Sequence, residues 1–359
     1  MSESVAIVYN EPQPSYYDKN QEIKAVSGVL TCVDAAHKAL LNLGYSVSIL
    51  PLSPPTATIK EKISSLDVSI VFNLFEGFPG EPETESLVPE TLSKVGILYT
   101  GCTAPVLKLA LDKYRIKKEL KAAGIRTPDF QLLNPANIHY FRLSFPCIIK
   151  PCHEDASHGI TKESVVNDTI LLERRVKYIQ DNYCSDSIVE EFINGREFNV
   201  TVIGNAKPEV LPVSEIVYTL PTGMPKLLTF EAKWEPESLY YKNTKAACPA
   251  KISEKERESI HKTALTSYRL LGGSGYARVD MRMDNRDKIN VIEINPNPDI
   301  SPDAGVAYQA AAAGINYEKL IEKILKIALK KEKYESKNTP CISFGQNRVA
   351  KNTGKYARV

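Results

Sequence analysis

The chain has 359 residues, 43% of them hydrophobic and 25% charged, with a formal net charge of +2. That balance suits a globular protein long enough for two or three domains, and it excludes a dedicated nucleic-acid surface, which needs a concentrated basic face. No apolar run reaches the ~20 residues of a membrane span, and the chain enters Val5-Ala6-Ile7-Val8-Tyr9 without a signal-peptide pattern, so a cytoplasmic protein is expected.

Segment 1–104 alternates strand and helix signals: a strand at 5–9, an apolar-periodic helix at 24–43, a strand at 45–50, a helix at 57–66, a strand at 68–74, a helix at 84–95 and a short strand at 97–99. Such alternation predicts an open parallel α/β sheet with helices on its faces, whose ligands sit at the carboxyl ends of the strands. The loops after Tyr9 and from Asn73 to Glu81 occupy that position. From Asp112 to Gly124 runs a charged amphipathic helix, closed by Gly124 and by Pro128 beyond it. Strands near 146–150 and 164–166, a helix at 168–182 and a strand at 187–191 predict a small α+β subdomain over 105–186. Segment 187–333 reads as a second one, with strands at 197–203 and 209–217, a long polar excursion, a helix at 253–271, a hairpin, and helices at 304–313 and 316–332. The remainder, 334–359, reads as a flexible basic tail.

The seven cysteines, Cys32, Cys102, Cys147, Cys152, Cys184, Cys248 and Cys341, are scattered without paired spacing and read as reduced thiols. His153 and His158 beside Cys152 invite a zinc reading, which is set aside because no fourth ligand of suitable spacing accompanies them.

The most informative segment is the hairpin. Val279, Met281 and Met283 alternate with Arg278, Asp280 and Arg282; after a polar gap, Val291, Glu293 and Asn295 alternate with Ile292 and Ile294. Cross-strand neighbours lie only about 5 Å apart, so the polar face gathers an arginine, two carboxylates and an amide oxygen. Hard oxygen ligands of this kind suit Mg²⁺. Upstream, Pro146 to Lys150 is an apolar strand ending in a lysine placed to reach a phosphate, and Ser157 and Gly159 let the following loop close over it. Lys113 opens an earlier helix, and Lys233 stands on the polar excursion in Glu231-Ala232-Lys233-Trp234. Between Ile188 and Phe198 a strand passes into an extended connection and a turn at Asn194-Gly195. Backbone groups from Glu191 to Ile193 there suit an adenine edge, Phe192 its face, and Glu197 the ribose hydroxyls. Lysines around a triphosphate beside a carboxylate-bound Mg²⁺ neutralise charge during phosphoryl transfer. Singly, each of these features also reads as solvated charge on a loop or surface hairpin. Gly272-Gly273-Ser274-Gly275 follows a helix and precedes a strand, the reverse of a phosphate loop, and no Walker motif is present.

Tyr99-Thr100-Gly101, Leu111-Asp112-Lys113, Ile149-Lys150-Pro151, the Glu190 to Glu197 segment, Glu231-Ala232-Lys233 and the Arg278 to Asn295 hairpin stand in an order that resembles the ATP-grasp superfamily, and within it the D-alanine–D-alanine ligase family. The resemblance covers about 68–330. It implies an ATP-grasp fold, α/β and α+β, with ATP between the two α+β subdomains and an open parallel α/β domain before them. It implies Lys113, Lys150 and Lys233 on the phosphates with Ser157 in the loop over them, Glu190, Glu191, Phe192 and Ile193 on adenine, and Glu197 on ribose. Asp280, Glu293 and Asn295 would hold two Mg²⁺ ions, or Mn²⁺, with Arg278 and Lys233 at an acyl-phosphate. Small-molecule carboxylate and amine substrates and a homodimer are also family expectations.

The substrate ends depart from the family pattern. Ala156 stands for a loop serine, although Ser157 follows it; Trp234 stands for a tyrosine, and Glu76-Gly77 for a histidine-glycine pair. Only Glu22 resembles a remnant of the N-terminal glutamate motif, and Pro296 to Ser301 replaces a small-residue stretch. Glu76, Asp299 and Ser301 are the substituted candidates for binding substrate. An intact ATP set beside altered substrate ends predicts an ATP-dependent carboxylate–amine ligase that joins amino acid or peptide-like substrates other than two D-alanines. The alternatives are a true D-alanine–D-alanine ligase of peptidoglycan precursor synthesis, an ATP-binding module without catalysis, and a phosphotransferase that stops at the acyl-phosphate.

Overall fold

The structure, a computed structural model, describes residues 3–13, 19–154 and 157–330, the side chains of 19–27 excepted. The expected tail at 334–359, Ala156 and the side chain of Glu22 lie outside the described residues.

Val5, Ala6, Ile7 and Val8 are wholly buried, as in a strand covered on both faces. They form the centre of β1 (Ser4–Asn10), which is followed by α1 (Lys19–Asn42), β2 (Ser46–Leu52), α2 (Thr56–Ser64), β3 (Ile70–Leu74), α3 (Leu87–Val95) and β4 (Leu98–Tyr99). The strands pair in parallel in the order β2-β1-β3-β4. Val5, Ile7 and Phe72 pack with Val33, Ala36 and Leu40 of α1, while Ala6, Val8 and Val71 pack with Ile59, Ile63 and Leu92 on the opposite face. The expected open α/β sheet is present.

Two short helices follow, α4 (Ala104–Leu111) and α5 (Lys113–Ala122). Asp112 separates them and caps α5, its side chain accepting from the Arg115 amide at 2.9 Å. Next come β5 (Phe130–Leu133), β6 (Cys147–Pro151), β7 (Val165–Val166), α6 (Thr169–Tyr183) and β8 (Ser187–Glu191). They form an antiparallel sheet in the order β5-β8-β6-β7, covered by Leu172, Val176 and Ile179 of α6.

The third sheet contains β9 (Glu197–Ile203), β10 (Glu209–Val210), β11 (Ser214–Tyr218), then α7 (Phe230–Trp234), α8 (Leu239–Lys242), β12 (Thr244–Ala247), α9 (Glu254–Leu271), β13 (Tyr276–Met283) and β14 (Ile289–Asn295). Its order is β12-β11-β9-β13-β14, with β10 beside β9. The strand expected at 209–217 is two strands, separated by a stretch containing Pro212, which has no amide hydrogen for a ladder. The polar excursion folds into α7, α8 and β12. Last come α10 (Gly305–Ala312) and α11 (Tyr317–Leu329).

The hydrophobic cores run between these segments. Residues of α4, α5 and α9 share a cluster with β9, β13 and β14. Leu320, Ile321, Ile324 and Leu325 of α11 join α1 and the first sheet, together with Ile203 and Tyr276 of the third. Gln309 of α10, wholly buried, accepts from the Thr201 amide at 2.8 Å and donates to the Asn199 carbonyl at 3.0 Å, fastening that helix to β9.

The hairpin departs from plain alternation. Asp280 faces Glu293 but Met281 faces Val291, so a bulge leaves Ile292 without a partner. Val291 therefore joins Ile294 in the core instead of sharing a face with Glu293 and Asn295. The connection from β8 to β9 passes against the end of β13, where a Cβ on Gly195 would lie 1.7 Å from the Met283 carbonyl oxygen. Gly195→Ala is expected to lower stability by about 1–3 kcal/mol in urea denaturation, whereas Asn194→Ala at the neighbouring exposed position changes it by less than about 0.5 kcal/mol.

Candidate active site

Strand register brings the hairpin's polar side chains together: Arg278 opposes Asn295, and Asp280 opposes Glu293. Asp280 is buried, accepts from Asn199 Nδ2 at 2.7 Å, and receives Arg278 Nε and Nη2 at 2.7 and 2.8 Å. Glu293 Oε1 lies 3.5 Å from Lys113 Nζ, and Asn295 Oδ1 accepts from the Asn297 amide at 2.8 Å. Burial opposes the Glu293 charge, but Lys113, Lys150, Arg278 and Lys233 together outweigh it and hold the carboxyl below its ordinary range. Burial, helped by Arg278, pulls Lys233 down. Arg278 is also opposed by burial, yet Asp280 and then Glu293 and Asp299 keep its pKa above the usual guanidinium value. Asp280, Glu293 and Asn295 are hard oxygen donors on one strand pair, a set whose chemistry fits a divalent ion such as Mg²⁺.

A second group lies on β6, β8 and the connection to β9. Glu190 is 1% exposed, with Lys117 Nζ 3.1 Å from one carboxylate oxygen and Lys150 Nζ 3.2 Å from the other. Sequence reasoning did not single out Lys117, although it stands one helical turn beyond Lys113 on α5. It also donates to Thr127 Oγ1 at 2.8 Å, and burial drives its pKa down to about 8 against the pull of Glu190. Glu197 accepts from Tyr218 Oη at 2.7 Å and from Arg282 Nε at 3.1 Å. Arg282 was likewise unassigned. It stacks on the Phe192 ring at 5.2 Å and donates to the carbonyls of Ile193 and Lys226 at 2.8 and 2.6 Å. The amides of Glu191 and Phe192 are engaged by the carbonyls of Asp129 and Pro146, each at 2.9 Å, so they are not donors for an adenine edge.

A cavity of about 870 Å³ joins the loops after β1 and β3 to the hairpin. Asn10, Glu76 and Gly77 line it from the first sheet, Glu154, Ser157 and His158 from the loop after β6, and Lys233, Trp234, Arg278, Glu293, Asn295 and Asp299 from the third. Ser157 adopts φ 66° and donates to the Leu228 carbonyl at 3.2 Å. Asn297 bridges the walls, donating to the Phe75 carbonyl at 3.1 Å and to Glu85 Oε1 at 2.8 Å. Glu76 and Asp299 therefore reach the cavity wall. Ser301 does not: it is buried, and its hydroxyl and amide donate to Asp299 Oδ1 at 2.6 and 2.8 Å.

Burial raises the Glu190 pKa, but Lys117 and Lys150 outweigh it, and the folded value lies below the ordinary 4.5. Glu190 therefore contributes stability that is complete above the unfolded value and is lost as pH falls through the folded one. Glu190→Gln is expected to cost about 3–5 kcal/mol at neutral pH, the usual penalty for breaking a buried ion pair, and the gap from the parent narrows as pH drops below about 4. Chemical denaturation at a series of pH values measures both effects.

A family model described as "D-ala D-ala ligase C-terminus" matches residues 120–326. Among curated relatives, the uncharacterized protein y4sG of Sinorhizobium fredii is 35% identical over 307 residues, which cover 85% of this chain and 87% of that one. A D-alanine–D-alanine ligase of Mannheimia succiniciproducens is 29% identical over 308 residues, 83% of this chain and 92% of its own. Among solved structures, the D-alanine–D-alanine ligase from Bacillus anthracis complexed with ATP aligns with a TM-score of 0.71 at 21% identity, covering 93% of this chain and all of that one. The VanG D-Ala:D-Ser ligase from Enterococcus faecalis aligns at 0.72 with 20% identity, covering 91% of this chain. The likeness to solved structures establishes the fold, and the family match extends over more than half of the chain: this protein belongs to the D-alanine–D-alanine ligase family and is an ATP-grasp ligase that uses ATP and a divalent metal to form a peptide-like bond.

Proposed function

We propose that this ligase joins a carboxylate to an amine, on amino acid or peptide-like substrates other than two D-alanines, working through an acyl-phosphate. The observation that carries the reading is the cavity wall, where Glu76, Trp234 and Asp299 stand within the same space as Lys233 and Arg278. Segments 1–104, 105–186 and 187–333 form its N-terminal, central and C-terminal domains, with ATP between the last two. Lys113, Lys150 and Lys233 neutralise the phosphates, Ser157 belongs to the loop that covers them, Glu190 to Ile193 border the adenine, and Glu197 takes the ribose. A divalent ion, Mg²⁺ or Mn²⁺ and two of them in the active enzyme, supplies charge neutralisation at the phosphate oxygens when held by Asp280, Glu293 and Asn295.

In the first step an oxygen of the substrate carboxylate attacks the γ-phosphorus of ATP and the bond to ADP breaks. In the second, the unprotonated amine attacks the acyl carbon, phosphate leaves with the bonding electrons, and the nitrogen gives up a proton. Arg278 and Lys233 face the transferring group and stabilise its charge. Excluding water from the cavity protects the acyl-phosphate from hydrolysis. A D-alanine–D-alanine ligase remains the second reading, favoured by the activity of relatives matched over most of their length.

Phosphate release across D- and L-amino acids, hydroxy acids and small peptides tests the substrate reading. D-alanine as the sole substrate is expected to turn over slowly beside the best pair, and a clear preference for D-alanine overturns the proposal. Asp280→Asn serves as the blank and is expected to lose at least about 100-fold in rate. Arg282→Met, which loosens Glu197 and the 192–196 connection, is expected to raise the KM for ATP about tenfold with a much smaller change in kcat. An unchanged KM removes Glu197 from the nucleotide site.

A further inference from the structure

Away from the hairpin, Asp112, Cys152 and His153 bring a carboxylate oxygen, a thiol sulfur and an imidazole nitrogen within 4.8 Å of one another. Asp112 is the residue between α4 and α5, and Cys152 and His153 directly follow β6. Backbone bonds fix the two segments: the Lys113 amide donates to the Cys152 carbonyl at 3.3 Å, and the Cys152 amide to the Asp186 carbonyl at 2.9 Å. Cys152 Sγ lies 3.9 Å from Asp112 Oδ1. Two such ligands on one tetrahedral zinc stand about 3.5 Å apart, given Zn–S near 2.3 Å and Zn–O near 2.0 Å. The sequence offered His158 as the partner of Cys152 and His153 and no further ligand. The fold instead sends His158 toward Glu154 and the Phe230 ring, and supplies Asp112 from 40 residues upstream.

We propose that Asp112, Cys152 and His153 form a transition-metal site that takes Zn²⁺, with water as the fourth ligand. The mixture of sulfur, nitrogen and oxygen selects Zn²⁺ over Mg²⁺, which is what separates this group from the all-oxygen set on the hairpin. Cys152 is 1% exposed and His153 is exposed, so the site has a closed floor and an open mouth for entry. An ion there fastens the start of the loop after β6 to the start of α5. That segment leads to Glu154, Ser157 and His158 on the cavity wall.

Titration of the full chain with Co²⁺ in saturating Mg²⁺ tests the site. One equivalent is expected to produce a thiolate-to-cobalt charge-transfer band that Zn²⁺ abolishes. Cys152→Ser is expected to remove the band, while Cys184→Ser and Asp280→Asn keep it. Asp112→Asn, which preserves the helix cap, and the exposed His153→Ala are each expected to weaken Co²⁺ binding at least about tenfold. Absence of the band, its survival in Cys152→Ser, or unchanged affinity in both Asp112→Asn and His153→Ala overturns the proposal.

Discussion

Glu190, Glu197 and Asp280 are withdrawn from water in this protein, Glu293 stands half-buried opposite Asp280, and a buried carboxylate left unpaired costs several kcal/mol. The fold answers by surrounding them with Lys113, Lys117, Lys150, Lys233, Arg278 and Arg282. These cations come from α5, β6, α7 and β13, so the pairing is a tertiary condition: α5 must lie against the third sheet, and β6 beside β8, for the charges to be compensated. Attraction in so dry a place is strong, but it only offsets desolvation. What the arrangement secures is position.

Position is also what the apolar packing supplies. The cluster shared by α4, α5 and α9 with β9, β13 and β14 holds Lys113 near Glu293, and Gln309 stitches α10 to the strand that carries Glu197 and Asn199. The bulge at Ile292 has the same effect on a smaller scale. It returns Val291 to the core while keeping Asp280 opposite Glu293, so the acidic pair stays together on the other face without unseating the strand. An ATP-grasp ligase needs such rigidity, since donors displaced by an ångström lose much of their effect on a developing charge.

The parts legible in the sequence are those whose signal is local. The strand–helix alternation of the first sheet, the hairpin period, and the gathering of Arg278, Asp280, Glu293 and Asn295 on one strand pair follow from patterns a few residues wide. Lys117 and Arg282 escaped because their importance lies in their partners, and Glu197 is 85 residues from Arg282 along the chain. The helices α7 and α8 are too short to show a period, and α4 hides behind Pro105 in its first turn. Ser301 shows the opposite limit: the sequence offers its hydroxyl as a candidate ligand, and the fold bonds that hydroxyl to Asp299, a partner two residues away that no period reveals.

The packing of α11 on α1 has a consequence for how the protein is made. The first sheet is complete in sequence by Tyr99, but Leu320, Ile321, Ile324 and Leu325 belong to the same core as Val5, Ile7 and Phe72. A ribosome that has released the N-terminal sheet must still add most of the chain before that apolar face is covered. Until then the sheet carries an open greasy side, the kind of surface that holds nascent chains to chaperones. The order of synthesis thus leaves the sheet dependent on a helix made more than two hundred residues later, and termination between the two yields a chain whose sheet is unsealed.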